Sequence, residues 1–235
     1  MVIGILFDYG DTLVRTEPNA LVLSSILDSL GFDFDPQAVV AVASRFGEHW
    51  NANYASLPRG RRWTRAVRID CNKTVLEGLG LDQENFPALA SRVTDLWPKY
   101  EKRSLYDDVL ATLRTLSQAS LPMGVVSQNL GTSSYLRKEL DQLGISKYFK
   151  IVLTSEDVGY DKPDARLFLE SAREIGLRPS DIFYVGNDYQ KDVVGARAAG
   201  MRPVLVDRGR NQCYDDCIVI SDLNEASGVV RRGGL

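Results

Sequence analysis

The sequence predicts an α/β protein in which a parallel sheet, covered by helices on both faces, is interrupted by an all-helical insert. Three observations carry this. The chain opens on an apolar run, Ile3-Gly4-Ile5-Leu6-Phe7, that ends in Asp8; residues 18–100 place apolar side chains only at helical spacing; and from Tyr106 onward helix-period segments alternate with short apolar runs. That alternation is how chains that build buried parallel strands with crossover helices are written. Residues 1–16 and 104–235 are therefore expected to form one α/β domain, and residues 17–103 a second, helical one.

The elements follow in order. The first strand ends at Asp8 and turns at Gly10. In the insert, a helix from Asn19 to Leu30 is stopped by Gly31, which can adopt the left-handed conformation that ends helices. A second runs from Pro36 to about Tyr54, with Asp35 as N-cap and proline at the first helical position. A third covers Arg61 to Leu79 and a fourth Glu84 to Trp97, so four helices with short polar links make a small bundle. The α/β part continues with helix 107–119, strand 122–127, helix 132–143, strand 150–154, helix 164–175, strand 182–186, helix 190–199 and strand 203–207. Cys217 to Ile220 is a candidate last strand, and the tail from Arg231 is expected to fray. There is no internal repeat and no low-complexity segment.

Composition excludes several functions. With 235 residues and 44% hydrophobic content the chain can bury a sizeable core, and its net charge of −3 lacks the basic excess that nucleic-acid phosphates require. No apolar run is long enough to span a bilayer and no basic leader precedes the first strand, so no membrane partner and a cytoplasmic location are expected. Three cysteines, Cys71, Cys213 and Cys217, form no paired framework, and the Cys213/Cys217 pair has no further Cys or His nearby to complete a zinc site. The single histidine, His49, sits among aromatics of the second insert helix and reads as a packing residue. A histidine-dependent triad has no support.

Ligands of open parallel sheets bind beyond the carboxyl ends of the strands. There the sequence places Asp8, then Ser127-Gln128-Asn129, then Gly186-Asn187-Asp188 with Asp192 one turn on, while Lys162 precedes a helix close behind strand 150–154. Asp8, Asp188 and Asp192 would repel one another without a cation, and oxygen donors in this number suit Mg2+. Ser127 and nearby backbone N–H groups can hydrogen-bond a phosphate, Lys162 can offset its charge, and Asp8 can attack phosphorus.

Asp8-x-x-x-Thr12, Ser127, Lys162-Pro163-Asp164 and Gly186-Asn187-Asp188-x-x-x-Asp192 resemble, in order, the four motifs of the haloacid dehalogenase-like (HAD) hydrolase superfamily, across nearly the whole chain. The helical insert resembles that superfamily's C1-type cap. The resemblance implies a Rossmann-like core and a Mg2+-dependent phosphatase that acts on a small phosphorylated metabolite through an aspartyl-phosphate on Asp8, under a cap that closes. Thr12, Ser127, Gln128, Asn129 and Lys162 would position or bind substrate. Asp8, the Gly10 carbonyl, Asn187 or Asp188, and Asp192 would hold the metal, with Asp188 favoured over Asn187 because a carboxylate binds Mg2+ better than an amide.

The match departs at one position. Family phosphatases carry a second Asp two residues after the nucleophile, as the acid and base of the two half-reactions, and here that position is Gly10. Asp11 is the candidate replacement, although adjacent loop residues point in different directions. Two alternatives follow from Gly10: a 2-haloacid dehalogenase, which needs no metal, and a catalytically weak module that binds phosphorylated ligands. A phosphonatase would need a lysine within the insert helices, where Lys73 is the only one. Arg61, Arg65 and Arg68 share a helix face and, with Arg59 and Arg62, read mainly as a solvated basic surface. Oligomeric state has no signature in the sequence.

Overall fold

The computed structural model describes residues 3–54, 63–81, 86–209 and 214–233, with side chains through residue 230. The chain divides into two units, Met1–Arg15 with Ser104–Leu235, and Thr16–Arg103.

The first unit is built on a six-stranded parallel sheet in the order β5-β4-β1-β6-β7-β8. Its strands are β1 (Gly4–Phe7), β4 (Met123–Ser127), β5 (Ile151–Thr154), β6 (Ile182–Gly186), β7 (Arg202–Val206) and β8 (Ile218–Ile220). The β1 strand is central and buried on both faces, which explains its unbroken apolar run. Alternate side chains part company. Ile5 and Phe7 join a layer with Val109, Leu113 and Leu136, while Leu6 faces the other way, into a layer with Phe168, Tyr184 and Ala196. The covering helices are α5 (Val109–Gln118), α6 (Ser133–Gln142), α7 (Ser155–Val158), α8 (Ala165–Ile175), α9 (Val194–Ala198) and α10 (Asn224–Gly233). Because β4 and β6 flank β1 and the chain builds outward in opposite directions from them, the carboxyl end of β1 is the sheet's switch point, where such sheets bind ligands.

The second unit packs α1 (Asn19–Ser29), α2 (Pro36–Asn53), α3 (Arg65–Gly78) and α4 (Phe86–Tyr100), with α1 and α3 each against both α2 and α4. Its core joins Leu23, Ile26, Leu27, Val39, Leu76, Val93 and Trp97. The caps act as the sequence suggests: Asp35 accepts a hydrogen bond from the Gln37 N–H at 3.0 Å, and Gly31 is left-handed at φ 86°. The third helix starts later than expected, at Arg65, because Thr64 caps it by accepting from the Val67 N–H. The expected helix starts at Arg61 and Glu84 lie outside the described residues, as does Cys213. Two short strands were not anticipated, β2 (Val14–Thr16) and β3 (Arg103–Leu105), which pair where the chain leaves and re-enters the first unit. Among the described residues no helix is long and apolar enough to cross a membrane.

Candidate active site

Sheet register sets the site. Phe7 pairs with Val125 of β4 on one side and Val185 of β6 on the other, so Asp8 stands level with Gly186 and Ser127 lies one residue beyond that level. The Asp8 N–H donates to the Val185 carbonyl at 2.8 Å, which fixes the backbone from which its carboxylate projects.

Asp8 is buried, and its side chain is held from two directions. Lys162 Nζ donates to Oδ1 at 2.5 Å, and Thr12 Oγ1 lies 3.2 Å from Oδ2. The same ammonium donates to Asp192 Oδ1 at 2.8 Å, so one buried lysine, 2% exposed, bridges two buried carboxylates. Burial pushes the Asp8 carboxyl up and Asp192 adds to this, against the pull of Lys162, leaving it at about 6. For Lys162 burial works against the charge, but Asp192 and Asp8 outweigh it and hold the ammonium well above the ordinary lysine range. It is thus a fixed cation.

Two glycines make this convergence feasible. A Cβ on Gly186 would sit 2.3 Å from the Asp192 carboxyl carbon, so the bare backbone at the end of β6 admits that carboxylate. A Cβ on Gly195 would lie 2.3 Å from the Phe168 ring and 3.1 Å from Pro163 Cα, so the first turn of α9 closes directly onto the segment carrying Lys162. The Lys162–Pro163 peptide is cis, and Asp164 caps α8 by accepting from the Arg166 N–H at 3.1 Å.

The end of β6 departs from the expected helix over 190–199. Residues Tyr189–Val193 form a π-helical turn before α9, an irregularity that recurs at functional sites. Within it the Asp188 side chain caps the turn, accepting from the Lys191 N–H at 2.9 Å and pairing with Lys191 Nζ at 3.2 Å. Despite partial burial, Lys191 and these N–H groups hold the Asp188 carboxyl below its usual range. Asn187 instead meets the loop after β1: its Oδ1 is 3.2 Å from Thr12 Oγ1.

That hydroxyl carries one proton and faces two acceptors, Asp8 Oδ2 and Asn187 Oδ1. A pair of oxygens short of a donor is chemically suited to a hard cation. Among the described residues no three acidic, histidine or cysteine groups form a ready metal cage, so any cation here would draw on Asp8, the Asn187 amide and backbone or water oxygens.

Other anticipated residues are placed as follows. Ser127 is buried at the end of β4, and Gln128 Oε1 behind it is buried with no hydrogen-bond partner among the described residues. Asn129 shapes the loop: its N–H and carbonyl both engage Ser155 Oγ, at 3.1 and 3.2 Å, and its Oδ1 accepts from the Gly131 N–H. Asp11 is exposed, with a left-handed backbone at φ 55°. Around Gly10 there is space, since a Cβ there would meet nothing within 4 Å.

Two supports escaped sequence reasoning. The Tyr184 ring lies beneath Lys162, with Nζ 5.3 Å from its centroid, and its hydroxyl donates to the Val126 carbonyl. Arg208, just past β7, donates to the Thr12 carbonyl at 2.9 Å and to Asp108, while Asp108 also accepts from the Leu223 N–H. An acid at a helix start and an arginine after a strand were the only signals, and neither names its partner.

With this geometry in place, comparison with known proteins defines the class. The chain belongs to the haloacid dehalogenase-like hydrolase family, whose model matches residues 68–206, and it is an enzyme of that family. It is 34% identical over 138 residues to a glyceraldehyde 3-phosphate phosphatase of Methanopyrus kandleri, a stretch covering 59% of this chain and 58% of that protein. It is 31% identical over 214 residues to a ribulose-1,5-bisphosphate 5-phosphatase of Halopiger xanaduensis, covering 88% and 85%. The fold matches a crystal structure of 2-haloacid dehalogenase from Pseudomonas syringae pv. Tomato DC3000 at TM-score 0.68 and 23% identity, covering 99% of both chains.

Proposed function

We propose that this enzyme is a phosphatase that hydrolyses a small phosphomonoester through an aspartyl-phosphate on Asp8, with the helical unit serving as its cap. The observation that carries the reading is Asp8 itself: a buried carboxylate at the end of the central strand, oriented by Lys162 and Thr12, at the sheet's switch point. Relatives named as phosphatases of small phosphorylated metabolites support it.

Asp8 attacks phosphorus as the bond to the ester oxygen breaks, and that oxygen takes a proton as the alcohol departs. Water then attacks the phosphoryl group, releasing phosphate and restoring Asp8. Lys162 keeps the nucleophile ionised and stabilises negative charge at the phosphoryl group, while Ser127 and the Gln128 N–H hydrogen-bond its oxygens.

Charge supports a metal. Asp8 and Asp192 share one ammonium, and Asp188 is matched by Lys191, so the site carries one net negative charge before a phosphate dianion enters. Mg2+, when bound, would supply the missing positive charge, and Asp8, Asn187 and the Gly10 carbonyl are the residues to hold it. Asn187 is preferred over Asp188 here because it shares a hydroxyl with Asp8, whereas Asp188 is committed to Lys191. Asp192 acts through Lys162.

The bare position at Gly10 favours a second reading, a metal-independent 2-haloacid dehalogenase, in which Lys162 alone balances the nucleophile. One experiment separates them: a panel of phosphomonoesters with and without Mg2+, beside L- and D-2-chloropropionate, on wild type and Asp8→Asn. Phosphate release that requires Mg2+ and disappears in Asp8→Asn supports the phosphatase; halide release without Mg2+ and no phosphate release overturns it.

A further inference from the structure

The helical unit contains a cavity of about 130 Å³ lined from all four of its helices, by residues that include Leu23, Phe46, Trp63, Asn72, Trp97 and Arg68. Bundles place ligand sites in such interiors, where apolar walls surround a few polar groups. Here the polar group is unusual.

Arg68 projects from the first turn of α3 between two indoles, its guanidinium carbon 4.3 Å from the Trp97 ring centroid and 5.7 Å from that of Trp63. Its Nε is buried with no hydrogen-bond partner among the described residues, and no carboxylate among them pairs with it. The acid nearest in the wall, Glu101, is already taken, by Arg103 and by the Trp97 indole N–H at 3.3 Å. Burial pushes the Arg68 guanidinium down to about 10, against the pull of Glu101. A half-buried cation whose Nε is buried without a partner is costly unless something completes it, since polar groups withdrawn from water require one.

The chemistry of the partner follows from the walls. A guanidinium presents a planar fork that matches a carboxylate bidentately. One cation beside an occupied glutamate suits a single negative charge and disfavours a phosphate dianion. The indoles, Phe46 and Leu23 suit a compact apolar or aromatic body behind the acid group. We propose that the helical unit carries a binding site for a small organic monocarboxylate, anchored on Arg68 between Trp63 and Trp97. The site is independent of whether Asp8 turns over phosphate.

Two of the three tryptophans line the cavity, so intrinsic fluorescence reads it directly. Isobutyrate and benzoate titrated into the full-length protein should give a saturable change, and isothermal titration should give the same affinity. Arg68→Met should weaken binding about 10- to 100-fold, the range for losing a charge-assisted hydrogen bond, and Arg68→Lys should restore only part of it. On wild type, benzoate should protect Arg68 from phenylglyoxal, read by peptide mass, which keeps the test intact if the variants misfold. Inorganic phosphate at equal concentration should neither bind nor protect. No saturable signal, binding unchanged in Arg68→Met, or equal protection by phosphate would overturn the proposal.

Two sources present the same group: a free organic acid, or the acid end of a phosphorylated substrate. On Asp8→Asn protein, a phosphorylated hydroxy acid that displaces isobutyrate and loses affinity with Arg68→Met identifies the second. Displacement by the free acids alone identifies the first.

Discussion

Placing an acid at position 10 tests the proposed mechanism where the sequence departs from the superfamily pattern. A Cβ at Gly10 would meet nothing within 4 Å, and Gly10 is not among the glycines with left-handed φ, so aspartate fits without backbone strain. Replacing glycine at a compatible position itself stabilises by about 0.4–1 kcal/mol by restricting the unfolded chain. Against this stands one more carboxylate near Asp8, already raised to about 6 by burial and Asp192. The fold should therefore tolerate Gly10→Asp with a small change in Tm.

General acid help contributes about 10²–10⁴-fold, and only where the leaving group needs a proton. The assay is kcat with two esters and Mg2+, an alkyl phosphate such as glycerol phosphate and p-nitrophenyl phosphate. The alkyl ester should gain within that range, the nitrophenyl ester little, and Gly10→Asn should gain on neither. Equal gains on both esters, or none on the alkyl ester in a folded protein, would refute the view that the missing acid limits the rate.

Four other outcomes follow from the same geometry. Lys162→Met should abolish turnover and lower stability by about 3–5 kcal/mol, because it strands two buried carboxylates; urea denaturation should show that adding Asp192→Asn recovers part of the loss. Gly195→Ala should cost about 1–3 kcal/mol through the Phe168 and Pro163 contacts, measured the same way. Asn187→Leu should reduce Mg2+ affinity more than Asp188→Asn does, read as the Mg2+ concentration giving half-maximal rate. In the helical unit, His49 and Tyr54 hydrogen-bond Asp70 and hold its carboxyl below its usual range. A depressed carboxyl stabilises above its unfolded value and loses that contribution as pH falls, so Asp70→Asn should cost up to about 1 kcal/mol at pH 6 and progressively less as pH falls through the carboxylate range.

What the sequence disclosed and what it hid divide along physical lines. The long apolar strands, the insert helices and the positions of Asp8, Ser127 and Lys162 were legible because burial writes periodicity and strand ends locate polar residues. The β2 and β3 pair was not, since Val14-Arg15-Thr16 and Arg103-Ser104-Leu105 are too short and too charged to carry a period. Helix α10 was hidden by Gly228 and Gly233, although Ala226, Val229 and Val230 do fall on one face. The sequence preference for Asp188 rests on carboxylate affinity, and the proposed preference for Asn187 rests on the pairing of Asp188 with Lys191. A lysine three residues on was visible, but the π turn that brings it back onto Asp188 was not.

Every group that holds Asp8 comes from a different part of the chain: Val185 from β6, Lys162 from the loop before α8, and Thr12 from its own loop, itself fixed by Arg208 beyond β7. The orientation of the Asp8 carboxylate is therefore set by the sheet order together with Thr12 of its own loop. That matters for the empty position at Gly10. Loss of a side chain there removes a proton donor but none of these supports, since Gly10 makes its one bridge to Val14 through backbone. Under the proposed mechanism, nucleophile positioning and acid catalysis are physically separable in this site. A protein can keep the first while doing without the second, and chemistry is then selected by the leaving group that enters rather than by a change in the core.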